Sequence, residues 1–105
     1  GYAYDLCKAM ILMMGNESAF GEAFNVSGNE LISVNQLIDL ISSIGHRKAN
    51  ISYSADSEGS SPLATSHRFA DVGKARYMLN IIPETCLFDG LTKTYRWWLI
   101  KGGLK

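Results

Sequence analysis

Only two cysteines, Cys7 and Cys86, two prolines and two histidines occur in the 105 residues, and the chain carries no net charge. Each scarcity removes a class. Two cysteines at opposite ends of the chain make neither a disulfide framework nor a four-ligand zinc site. Both stand among apolar neighbours and are expected as reduced core thiols. His46 and His67 are far apart, with no second ligand at metal spacing. Ten Lys and Arg balance ten Asp and Glu, without the basic excess that a phosphate backbone selects, so nucleic acid is not the expected partner. The apolar run 9–14 ends at Gly15-Asn16-Glu17, far short of a membrane span, and Asp5 and Lys8 before it do not form a signal-peptide flank. The chain reads as soluble and cytoplasmic, with no membrane partner.

What is present is ordinary globular composition: 47% apolar and 19% charged residues, enough for one domain over 1–105 and unlike a disordered tail. Charge is divided unevenly, with net −4 over residues 1–45 and net +4 over 46–105. Either the halves attract within one fold, or the second presents a mild anion-attracting face.

Periodicity predicts a helix over 4–14, with Leu6, Met10, Met13 and Met14 on one face and Gly15 as its stop. Residues 23–26 read as a short strand before the turn at Ser27-Gly28-Asn29. Ser33-Val34-Asn35-Gln36 is a capping box. Val34, Leu37, Ile38, Ile41 and Ile44 then share a face up to Gly45. Residues 50–54 alternate like a second strand. Residues 55–66, with Gly59, Pro62 and five Ser or Thr, have no apolar period and form the long loop. Asp71 is a candidate N-cap for a helix over 72–79. Leu87, Leu91, Tyr95 and Trp98 mark a C-terminal helix closed by Gly102-Gly103.

Motifs that would carry chemistry are missing. No G-x-G-x-x-G follows a strand and no G-x-x-x-x-G-K-[ST] occurs, so no nucleotide-phosphate cradle is expected. Ser27 lacks the glycine two residues earlier that marks a hydrolase nucleophile.

Five segments, read in order, resemble the extended short-chain dehydrogenase/reductases, the NAD-dependent nucleotide-sugar epimerase and dehydratase family. Tyr4-Asp5-Leu6-Cys7-Lys8-Ala9 is similar to its D-L-A-x-A helix start. Gly21-Glu22-Ala23-Phe24-Asn25-Val26-Ser27-Gly28 is similar to G-E-x-F-N-V-G-S-G, and Ile32 to Leu37 to x-S-V-x-E-L. The run 70–79 resembles A-D-x-S-K-A-R-x-L-L. Pro83, Leu87, Gly90, Leu91, Thr94 and Trp97 fit P-x-x-x-L-x-x-G-L-x-x-T-x-x-W. Together they span most of the chain.

The resemblance is to the family's C-terminal part alone. It implies an α/β class: a small helix-rich lobe with a few short strands, lacking the Rossmann domain. That domain, with its glycine fingerprint and Tyr-x-x-x-Lys pair, is expected to precede Gly1 and to hold NAD. The implied function is the nucleotide-sugar-binding lobe of such an enzyme, not catalytic by itself and with no cofactor of its own. The alternative is a free-standing binding or protein-interaction module derived from that lobe. The partners implied are a nucleoside diphosphate sugar and the N-terminal Rossmann domain. Without that domain, dimerisation or aggregation through the helices over 4–14 and 87–101 is expected.

In the family an arginine on the loop before the A-D-x-S-K-A helix often meets the diphosphate. Here that loop offers Ser66, His67 and Arg68, and Arg68 is the candidate phosphate ligand. It also suits an ordinary surface arginine paired with an acid, and His67 either adds a hydrogen bond or has no role. The family's R-P-G-D-x-R pattern is replaced by Glu58-Gly59-Ser60-Ser61-Pro62. Asp71 is either a helix cap or an acceptor for the nucleotide's ribose. Asn25 is expected to hold the turn around Gly28, and Trp97 and Trp98 to serve core and subunit contacts.

Overall fold

The computed structural model of the chain describes residues 1–28, 30–52 and 70–102. Four helices order it: α1 (Ala3–Met14), α2 (Val34–Gly45), α3 (Gly73–Leu79) and α4 (Leu87–Ile100), with a short 3-10 turn at Glu17–Ala19 after α1. The described residues contain no strand. The α/β expectation is therefore corrected to a helix-rich architecture.

The reason lies in what alternation can promise. Phe24 and Val26 do turn their side chains to the apolar cluster, as a half-buried strand would. A strand, however, needs a neighbouring backbone to complete its ladder, and none is offered to residues 23–26 by any described segment. Asn25 instead reaches across the fold, its Nδ2 donating to the Asp71 carbonyl at 3.2 Å. It ties this segment to the entry of α3 and does not hold the Gly28 turn. Residues 50–52 likewise form no strand. Residues 53 and 54, and the loop 55–66, lie outside the described residues.

Helix ends follow local chemistry closely. Both capping-box bonds of α2 are made: Ser33 Oγ accepts the Gln36 amide at 3.2 Å, and Gln36 Oε1 accepts the Ser33 amide at 2.7 Å. At its other end the left-handed residue is His46, with φ of 50°, not Gly45. Gly45 stays helical, and a Cβ there would stand 3.6 Å from the Tyr95 hydroxyl oxygen. That is an ordinary contact distance, so the position marks where α2 meets Tyr95 of α4 without requiring glycine. Helix α3 ends on Asn80, also at φ of 50°. The Asn80 amide donates to the Arg76 carbonyl at 3.0 Å, and the Ile81 amide to the Ala75 carbonyl at 3.2 Å, so two carbonyls at the helix end are satisfied. That turn brings Ile81 back onto Ala75.

The core built this way is small. Ala9 of α1, Ala75 and Leu79 of α3, and Ile81 are the buried hydrophobic residues, with Met13, Ala19, Phe24, Val26 and Met78 packed around them. The buried face of α1 carries Asp5 and Ala9, one turn apart. The expected face is largely open instead: Leu6 and Met10 are exposed and Met14 is 81% exposed. Cys7 and Cys86 are exposed as well, correcting their expected place in the core. Cys7 lies two residues from Asp5 and from Ala9, which puts it across the helix from the buried face. On α4, Trp97 and Trp98 are also exposed, and Ile100 is 84% exposed.

Two ion pairs join distant segments, Lys8 to Glu84 and Lys74 to Glu22, each at 2.6 Å. The Lys74 hydrogen bond and charge hold the Glu22 carboxyl below its ordinary range. Its contribution is present above the unfolded carboxylate pKa and is lost as pH falls through the lowered folded value. The open apolar faces have a larger consequence. Sedimentation velocity should show association that grows with concentration. A single monomeric species at the highest concentration reached would remove that expectation.

Candidate functional site

A cleft of about 690 Å³ opens between the N-terminal ends of α1 and α4, within the size range of small-molecule sites. Three stretches of sequence build it. Gly1 and Tyr2 lead into α1; residues 27, 28, 30 and 31 lie opposite; residues 85–87, 90, 91 and 94 supply the entry and first turns of α4, with Ala70 at the edge. No helix among the described residues is long and apolar enough to cross a membrane.

The α4 wall is fixed from behind by Asp5. This buried carboxylate accepts from the Thr85 amide and from the Thr85 hydroxyl, both at 3.1 Å. Its two oxygens so anchor the residue that precedes the helix cap. Cys86 is that cap, its Sγ accepting the Asp89 amide at 3.4 Å. Glu30 completes the helix entry from across the cleft, its Oε1 accepting the Leu87 amide at 2.7 Å. An acid at this point also meets the positive end of the helix dipole. Gly90 lets the chain close: a Cβ there would stand 3.4 Å from Cβ and Cδ2 of Tyr2.

Of the four site residues expected from sequence, Asp71 alone is described. Its Oδ1 accepts the Gly73 amide at 2.8 Å, a local turn bond two residues on; the N-cap of α3 is Val72, which makes no side-chain cap bond, so the expected N-cap is corrected. Its exposed side chain is not part of the cleft wall, although its neighbour Ala70 is. Ser66, His67 and Arg68 lie outside the described residues. Tyr2, Glu30 and Thr85 of the cleft have no place among the residues that the sequence singles out. Gly90 and Thr94 had a signal, since both occupy fixed positions of the G-L-x-x-T pattern. Thr85 had none, and Asp5, although the first position of the D-L-A-x-A motif, gave no sign of the residue 80 positions away that it anchors.

One Tyr-x-x-x-Lys spacing does occur, at Tyr4 and Lys8 on α1. Lys8 bonds Glu84 and lies over the Tyr4 ring at 5.9 Å, and neither side chain lines the cleft.

Comparison with known proteins adds two relatives. Over 91 residues, 87% of this chain, it is 36% identical to a Bacillus subtilis (strain 168) protein named uncharacterized UDP-glucose epimerase YtcB. Over 103 residues, 90% of this chain, it is 30% identical to the chloroplast stem-loop binding protein of 41 kDa b of Arabidopsis thaliana. The match covers 28% of the first relative and 27% of the second, so the chain spans little more than a quarter of their length. No family model matches the chain, and no solved structure matches it. The likeness to the first relative points to an epimerase/dehydratase family relationship.

Proposed function

We propose that this chain forms the nucleotide-sugar-binding side of an NAD-dependent epimerase or dehydratase, and that the hydride-transfer chemistry resides outside it. One observation carries the proposal. Residues of three family-like motifs, distant in sequence, meet on a single cleft: Gly28 from the first, Ala70 from the second, and Gly90, Leu91 and Thr94 from the third. Helix packing alone does not require these motif positions to converge. The relative named as a UDP-glucose epimerase supports the same substrate class.

A nucleoside diphosphate needs a cation, and an arginine meets a phosphate with two parallel bonds. Arg68 stands two positions before Ala70 of the cleft edge and is the proposed diphosphate ligand. Asp71, whose exposed side chain takes the Gly73 amide and stands outside the cleft wall, is assigned to the entry of α3 and not to the ribose. Ser66 and His67 are proposed as neighbouring hydrogen-bonding groups.

Titration calorimetry with UDP-glucose tests this. Binding should be weak, micromolar at best, because the chain supplies one side of the enclosure. Arg68→Ala should weaken it by about tenfold or more, the scale of a charge-assisted pair to phosphate. Unchanged affinity in that variant would remove Arg68 from the role. Failure of UDP and UDP-glucose alike to bind the unaltered chain would remove the proposal.

A further inference from the structure

We infer that the cleft selects an uncharged, hydroxyl-rich glycosyl group and that Glu30 is its specificity-determining residue, repelling sugars that carry a carboxylate. This rests on the nucleotide-sugar function proposed above and narrows it.

Charge is the first support. Among the described residues lining the cleft, Glu30 is the sole ionisable acid or base apart from the weakly acidic Tyr2 and Cys86 side chains and the chain's own α-amino group. Lys93 of α4 holds its ammonium over the Tyr2 ring, 5.4 Å from the centroid, and is not a lining residue. A wall whose one charged side chain is acidic disfavours an anion.

Hydrogen-bond direction is the second support, and it is independent of charge. Apart from the Tyr2 phenol, the hydroxyls of the wall, three in number, spend their protons on the protein. Ser27 donates to the Gly28 carbonyl at 3.2 Å, Thr85 to Asp5 at 3.1 Å and Thr94 to the Gly90 carbonyl at 2.8 Å. Each therefore presents lone pairs to the cleft. The amides of Leu87 and Asp89 at the helix entry are likewise taken, by Glu30 and Cys86. The wall is rich in acceptors and poor in donors. Sugar hydroxyls can donate to such a wall; a uronate carboxylate meets the Glu30 charge there and no cationic side chain among the described lining residues.

Glu30 is also held in place. The Leu87 amide fixes Oε1, which leaves Oε2 to accept from a hydroxyl in a pre-set orientation. Glutamine at this position keeps an oxygen for the Leu87 amide, removes the charge and turns the second acceptor into an amide donor, and both changes favour a uronate carboxylate over a sugar hydroxyl.

The test compares UDP, UDP-glucose and UDP-glucuronate by titration calorimetry on the chain and on Glu30→Gln, with circular dichroism confirming the fold of both. The α-amino group is common to the two proteins and cancels. The ratio of UDP-glucose to UDP-glucuronate affinity should fall by about tenfold in the variant, the scale of one like-charge contact at partial exposure, while UDP binds both proteins equally. An unchanged ratio, with UDP still bound, would overturn the selectivity inference and leave the nucleotide-sugar function standing. An equal loss of all three ligands would show Glu30 acting on the nucleotide and also overturn it. No binding of any of the three to the unaltered chain would defeat the underlying proposal, and this inference with it.

Discussion

Asp5→Ala should destabilise the chain by about 2–4 kcal/mol, read as a fall in the urea midpoint at unchanged slope. Asp5 is 8% exposed, and its carboxylate takes both the amide and the hydroxyl proton of Thr85. Hydrogen bonds to an ionised acceptor contribute about 1.5–3 kcal/mol each, and truncation leaves two donors without a partner. Thr85 is half-buried, so water recovers part of the loss and keeps the total below the sum of two full bonds. Asp5→Asn keeps one acceptor oxygen and should lose about half as much. The same bonds fix the residue before the α4 cap, so Asp5→Ala should also broaden the amide signals of Thr85, Cys86 and Leu87. An unchanged midpoint would show that the Asp5 carboxylate adds no net stability.

Why some of this was legible in the sequence and some not follows from the range of the interactions. The α2 capping box is written in four consecutive residues, and both of its bonds form. The helical period located α1, α3 and α4 to within a residue or two. Residues 23–26 failed as a strand because alternation encodes a face while pairing depends on a segment elsewhere. The faces of α1 failed for a related cause. Its methionines match the helical period, but α3 approaches the side that carries Asp5 and Ala9, where a small residue permits close contact. Gly45 was legible as a helix end and not as the place where Tyr95 packs. In the cleft, the glycines and Thr94 were visible as motif positions. Glu30 was not, because its role depends on the Leu87 amide 57 positions away.

The second large effect belongs to Leu79. Leu79→Ala should cost about 3 kcal/mol, within the range for emptying a buried leucine site, and thermal unfolding should shift sharply downward or lose its cooperativity. Leu79 is 7% exposed and is packed with Ala9, Ala75 and Ile81. Two of those neighbours are alanines, with little side chain to move into the vacated space. Tyr77 on the same helix is 92% exposed, and Tyr77→Ala should stay within about 0.5 kcal/mol of the parent chain. This pair separates lost packing from altered helix propensity, since each change places alanine in α3. Equal midpoints for the two variants would show that the cluster does not hold the fold. Ala9 adds a further consequence, because it shares the buried face of α1 with Asp5. Loosening the helix at Ala9 loosens the carboxylate one turn away, and with it the anchor of Thr85. The double variant Asp5→Ala with Leu79→Ala should therefore lose less stability than the two single losses added together.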